Sequence, residues 1–323
     1  MDTYPDDVIL AIRTSEVFRW SVYFINFLGL MALAVTVFTI LKLYSKQIFS
    51  ASTTSLLIAD IVFNNVHNLS YLFVQNWSLY RSFTYSHNVY DIMFRSEECW
   101  PHHVTNEFTK TVTLFIQFSL LINRISVTIN PQKFSKSSFG FILSIFTLLA
   151  SGLFTVQQHL RGPLIGMKTT SCFRESDVVL DLKTEHIIPY IVICSVSILC
   201  SLMLIVYVKR TGNKKTYDVM SEYMRKESIL STIAVTIIGT IQLLSFCFYD
   251  GLLTIFAEIS ENNSSPHDTN VIGWFYTGPS NAIISPSAVL VYIYFIRKNR
   301  KSQIKKLTNH KANHFQQLDT LWK

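Results

Sequence analysis

The chain reads as an all-α membrane protein, a seven-helix bundle with its N-terminus outside and its C-terminus cytoplasmic. Three observations predict this. Of 323 residues, 49% are hydrophobic and only 15% charged, against roughly 25% charged in soluble domains; the mean hydropathy is +0.30. Seven apolar stretches of spanning length follow one another. The basic residues between them are distributed unevenly, and that bias sets an orientation.

In order, the spans are expected at about 20–41, 52–74, 108–129, 139–158, 187–208, 229–250 and 272–296, each near the 20 residues a bilayer core requires. The first carries no charge from Trp20 to Leu41. It is too long for a signal-peptide core, and the preceding segment is acidic, so it is expected to stay as an anchor. The second contains Asp60. The third opens near Cys99 and closes on Asn123-Arg124; Lys110 sits near its outer margin and Asp250 near the end of the sixth. Residues 1–19 are an outer N-terminus and 297–323 a basic cytoplasmic tail. No linker separates a second domain.

Odd-to-even connections, the tail and Arg124 hold 19 of the 28 Lys and Arg, while the N-terminus and the other connections hold 8 and Lys110 completes the count. Acidic residues run the opposite way, 15 against 4. The positive-inside rule therefore places the N-terminus outside. Sequons at Asn76, Asn262 and Asn263 fall in connections read as outside, which agrees; Asn68 also matches but lies within a span. Short basic segments between apolar spans are a membrane pattern and do not suggest nucleic-acid binding. They also suit contact with lipid headgroups.

Cys99 and Cys172 both fall in outer, oxidising surroundings. A disulfide would tie the top of the third helix to the following outer loop; the alternative is two free thiols. Cys194, Cys200 and Cys247 lie in spans and are expected to pack as small apolar residues. Asp60 is a carboxylate at a depth where it must be neutral, paired or ion-bound; one reading is a structural carboxyl hydrogen-bonded to Asn64 or a neighbouring helix. His67 is expected to be a buried hydrogen-bonding histidine, not a metal ligand. Aromatic and polar residues near the outer ends, among them Tyr71, His103, Glu107, Gln157, Tyr190, Tyr249, Asp250, Trp274 and Tyr276, could line a pocket between helices or serve as interfacial anchors.

A family resemblance rests on specific residues. Seven spans, a cysteine 25 residues before Arg124, and a second cysteine in the next outer loop resemble a rhodopsin-like G-protein-coupled receptor. The segment LLINRISVTINPQKFSKSSF looks like the span-three exit of nematode serpentine chemoreceptors of the Sra/Srab/Sre group, and YMRKESILST and ISPSAVLVYIYFIRKNRK are also similar. The resemblance implies a cytoplasmic switch at Arg124 with Asn123, which stands where an acidic residue is usual, and with Glu227 as a substitute partner. It implies a sodium site at Asp60 with Thr113, Asn281 and Ser285 as polar neighbours, and a span-seven hinge at Pro286 with Tyr292 beyond it. Span four lacks a tryptophan and span six a proline.

The function this implies is chemosensory: an external small molecule or peptide is bound and a heterotrimeric G protein activated at the plasma membrane, in sensory-neuron cilia, with a receptor dimer as one form. Span seven has no lysine for a retinal Schiff base, and span three no aspartate in its outer half for a biogenic amine. HExxH, GxSxG, Walker A and Cys-x-x-Cys motifs are missing, so neither an enzyme nor a resident cofactor is expected. The competing readings are a seven-span ligand-gated channel like insect odorant receptors, which have the opposite orientation, and a transporter, whose inverted repeats are not visible.

Overall fold

A computed structural model describes residues 6–46, 49–159, 166, 168–169, 172, 192, 195–207, 210, 232–233, 235–241, 244–245 and 282–298. Helix α1 covers Asp6–Thr14 and α2 Glu16–Lys46; α3 runs Ala51–Thr84. A single turn, α4 (Val89–Ile92), leads into strand β1 (Phe94–Arg95) and then α5 (Ser96–Ile129). Another short turn, α6 (Pro131–Phe134), precedes α7 (Ser137–Gln158), and strand β2 is Lys168–Thr169. Helical residues also occupy Ser195–Tyr207, 235–241 and 282–298.

The helices are longer than the apolar runs that announce them. The second and third spans, expected at 52–74 and 108–129, belong to helices of 34 residues each, about 51 Å at 1.5 Å per residue. Among the described residues, α2, α5 and α7 are long and apolar enough to cross a membrane by composition. Helix α3 is not, because Asn64, Asn65, His67, Asn68 and Gln75 interrupt its apolar residues, and all of them are buried.

Those polar residues explain how α3 packs. Toward α2, Asn65 Nδ2 donates to Thr36 Oγ1 at 2.6 Å and Asn68 Nδ2 to the Gly29 carbonyl at 3.1 Å. Two turns further along α3, Asn76 and Asn26 exchange amide hydrogen bonds at 2.9 and 3.0 Å. Positions 65, 68 and 76 share one helical face, so the row is a zipper of amides. Gly29 lets it close, since a Cβ there would lie 2.6 Å from the Leu72 methyls. In hydrocarbon such groups must find protein partners.

Helix α5 packs on the other side of α3. His67 Nδ1 meets Thr109 Oγ1 at 3.1 Å and Ser70 Oγ meets His102 Nδ1 at 2.7 Å. Helix α7 leans on α5 through Ser119–Thr147 at 2.7 Å and the edge-to-face pair Phe115–Phe154. It also touches the start of α3, where Gly140 faces backbone: a Cβ would fall 2.3 Å from the Ser52 carbonyl oxygen. Leu56, Leu57, Ile61, Val112, Ile116 and Leu120 form the apolar core with Val235, Ile238, Val289 and Ile293, which brings 235–241 and 282–298 against α3 and α5.

Candidate functional site

At one end of α5 the chain is tied down covalently. Cys99 and Cys172 form a disulfide across 73 residues. Beside it, β1 pairs antiparallel with β2, Phe94 opposite Thr169. Arg81 of α3 lies between the rings of Trp77 and Phe94, at 4.8 and 4.5 Å, donates to Glu98 Oε2 at 2.9 Å and also reaches the Met93 carbonyl. A guanidinium held between two aromatic faces and a carboxylate makes a rigid corner. Helix α1 rests nearby: Arg13 donates to Ser78 Oγ at 2.8 Å, and its carbonyl accepts from Ser82 Oγ.

At the other end stands Arg124, only 2% exposed. Its charge lies within electrostatic reach of Tyr292, whose ring stacks on Phe49 at 6.0 Å. Asn123 takes a role that the sequence did not disclose. Its Oδ1 accepts from Ser52 Oγ and its Nδ2 donates to Thr53 Oγ1, both at 2.9 Å. The side chain in the position of the usual acid therefore staples α5 to the first turn of α3.

Between the ends, Asp60 is 1% exposed. Ser285 Oγ donates to its Oδ2 at 2.9 Å and Asn64 Nδ2 to its Oδ1 at 3.3 Å. The structural partner and one member of the implied ion-site set thus meet the same carboxylate. Thr113 donates to the Thr109 carbonyl of its own helix at 3.1 Å. The Pro286 carbonyl accepts from Thr39 Oγ1 of α2 at 3.3 Å, which links 282–298 to the bundle beside Asp60. Among the described residues, no group of three or more His, Cys, Asp or Glu could hold a metal.

Asn76 requires a correction. It was expected in a connection, but it lies inside α3 and pairs with Asn26. The Asn76 side chain is exposed on that helix, and Asn26 is half-buried opposite it. The sequence scan missed that the apolar run underestimates α3 by ten residues.

His103 and Glu107 are both half-buried on α5, and Glu107 meets Lys110 at 3.4 Å. Tyr71 is fully buried and accepts from Gln75 at 2.9 Å, which makes it a packing residue of α3. Glu227, Asn262, Asn263, Tyr190, Tyr249, Asp250, Trp274, Tyr276 and Asn281 lie outside the described residues. Sequence reasoning missed the Asn123 staple, the α2–α3 amides and the Arg81 corner. Only the i,i+3 spacing of Glu107 and Lys110 left a readable signal.

Comparison with known proteins bears directly on this arrangement. Residues 5–322 match the family described as serpentine type 7TM GPCR chemoreceptor Sra. Serpentine receptor class alpha-33 of Caenorhabditis elegans is 61% identical over 326 residues, covering 100% of this chain and 99% of that protein. Serpentine receptor class alpha-32 of the same organism is 34% identical over 322 residues, covering 98% and 95%. Among solved structures, squid rhodopsin superposes with a TM-score of 0.58 over 89% of this chain and 78% of its own, at 14% identity; that likeness speaks for the fold alone.

Proposed function

Because the chain belongs to the Sra family of serpentine seven-transmembrane chemoreceptors, we propose that it binds an external ligand, a small molecule or peptide, and activates a heterotrimeric G protein. The family is one of receptors, not enzymes, and its fold is the rhodopsin-like seven-helix bundle. In this reading the Cys99 end faces outside and the Arg124 end the cytoplasm of a multi-pass plasma-membrane protein, as the bias of 19 basic residues against 8 supports. A ligand that binds one helix arrangement more tightly shifts the population toward it.

The observation that carries the reading is the buried Arg124, with Tyr292 of the seventh span within reach of its charge and Asn123 bonded to α3 beside it. An arginine on an apolar helix is costly unless it serves a partner or a switch. Asp60 with Asn64 and Ser285 supplies a polar midsection in which a sodium ion could compete for the carboxylate. The channel and transporter alternatives gain no support from the family or the fold.

The test is basal nucleotide exchange. Membranes carrying the wild-type receptor and added heterotrimers should exchange GTPγS faster than control membranes, and Arg124→Ala should return the rate to background at equal surface expression. Normal exchange by Arg124→Ala, or no exchange above control by the wild type, would sink the reading.

A further inference from the structure

The last turn of α1 and the first turn of α2 bring two arginines to one face of α3. Arg13 donates to Ser78 Oγ at 2.8 Å. Arg19 donates to Ser82 Oγ and to the Ser82 carbonyl, both at 3.3 Å. Ser78 and Ser82 are one helical turn apart, about 5–6 Å. Ser82 Oγ also donates to the Arg13 carbonyl at 2.6 Å, so a single hydroxyl joins the two arginines. Each guanidinium lies against a ring, Arg13 at 5.0 Å from Phe18 and Arg19 at 4.1 Å from Phe83. A ring holds the guanidinium plane and leaves its N–H edge for an oxyanion.

Neither charge is answered by an acid. Among the described residues no carboxylate forms an ion pair with Arg13 or Arg19. Glu16 stands three residues from each, is exposed and pairs with neither. Acids are not scarce, since the set of segments that includes this N-terminus holds 15 against 8 basic residues. Arg81, beside Ser82 on the same helix, does close on Glu98 at 2.9 Å. Burial pushes the Arg13 guanidinium down to about 10 with no carboxylate opposing it, so it stays charged at neutral pH. Arg13 commits one of its side-chain nitrogens and Arg19 two. Their other nitrogens are neither bonded nor sealed from the surface.

The surroundings mark the level of the pair. Arg19 immediately precedes the charge-free run that starts at Trp20. Trp20 and Tyr23 on α2, with Tyr80 and Phe83 on α3, are exposed aromatics beside the two arginines and their serines. Exposed aromatics at the end of a spanning segment belong to the headgroup layer. We propose that Arg13 and Arg19 form a binding site for the phosphate of a phospholipid headgroup. A phosphodiester has two unesterified oxygens, one for the open edge of each guanidinium, and such pairings are charge-assisted. Because Arg13 ends α1 and Arg19 begins α2, the bound headgroup bridges the N-terminal helix to the first span. The site needs the membrane fold described above and does not depend on coupling to a G protein.

The experiment footprints arginines on the full-length receptor in maltoside micelles. Phenylglyoxal modification is followed by peptide mass spectrometry with added dioleoylphosphatidylcholine, or with a digalactosyl lipid carrying the same chains. A ligand protects in proportion to its occupancy, so at ten times Kd the phospholipid should slow Arg13 and Arg19 about tenfold and the galactolipid less than about twofold. Exposed Arg95 should react equally in both. Equal rates at Arg13 and Arg19 in the two lipids overturn the proposal. Equal protection by inorganic phosphate alone also overturns it, because the site then takes a free anion. This readout needs no variant, so it survives a variant that fails to fold. In thermal unfolding, phospholipid should raise the wild-type midpoint more than galactolipid does, and Arg13→Gln with Arg19→Gln should abolish the difference. A wild type without that difference, or a double variant that keeps it, would likewise refute the site. Protection without nucleotide exchange faults the G-protein reading alone; Arg124-dependent exchange without protection faults this one alone.

Discussion

Replacing Asn123 by leucine, which has the same number of side-chain heavy atoms and the same branching at Cγ, isolates the staple between α5 and α3. The asparagine and both its partners, Ser52 and Thr53, have no exposed surface. The change deletes two hydrogen bonds of 2.9 Å and leaves two hydroxyls facing an apolar group. A buried orphan costs about 1–3 kcal/mol. Ser50 still lies 3.3 Å from Ser52 and 2.8 Å from Thr53, so each orphan keeps one neighbour and the lower end applies. The expected loss is about 2 kcal/mol. Denaturant unfolding of the purified receptor in mixed micelles measures it, and a double-mutant cycle apportions it. In a Ser52→Ala/Thr53→Val background the orphans are gone, and Asn123→Leu should then cost under about 0.5 kcal/mol. If Asn123→Leu is equally damaging in both backgrounds, the staple is not what the asparagine supplies.

Other outcomes follow from close contacts and charge. Gly140→Ala puts a Cβ onto the Ser52 backbone and should cost about 1–3 kcal/mol or more, whereas Gly152→Ala, whose nearest neighbour is Phe108 at 4.0 Å, should be close to neutral in the same unfolding assay. Arg81→Met removes the partner of Glu98 in a pair only 10% and 29% exposed and should lower stability by about 1–3 kcal/mol, less at high salt in the wild type than a surface pair would show. Asn76→Ala removes both amide bonds to Asn26 and should cost about 1 kcal/mol in the same unfolding assay; no change would show that the exposed pair does not hold α2 to α3.

Seven spans and their order were legible because spanning length and apolarity are local properties of the chain. Helix ends were less so. The run 52–74 stops where Gln75 and Asn76 begin, yet the helix continues to Thr84, since those amides are satisfied by α2 and by neighbours within α3. Hydropathy counts a buried, paired asparagine as if it faced lipid. The site divides in the same way. Arg124, Asp60 and the two bonded cysteines stand out as residue types in unusual places. Asn123 does not, because its partners are 70 and 71 residues away and nothing in its local sequence points to them. Lys110 was visible only as an awkward charge at a span margin; that the residue before it, Thr109, meets His67 of α3 was not legible.

The amide zipper between α2 and α3 also bears on how the chain enters a bilayer. A translocation channel releases a nascent segment sideways when its own side chains favour lipid, and asparagine, histidine and aspartate weigh against that release. Helix α3 carries Asp60, Asn64, Asn65, His67 and Asn68 within nine residues. Left to itself it is a poor candidate for release, while α2, synthesised just before it, is a strong one and offers Thr36, Gly29 and Asn26 as ready partners. The two segments therefore suit insertion as a hairpin. A substitution on α2 that breaks the zipper would then reduce the yield of correctly threaded protein before any question of folded stability arises.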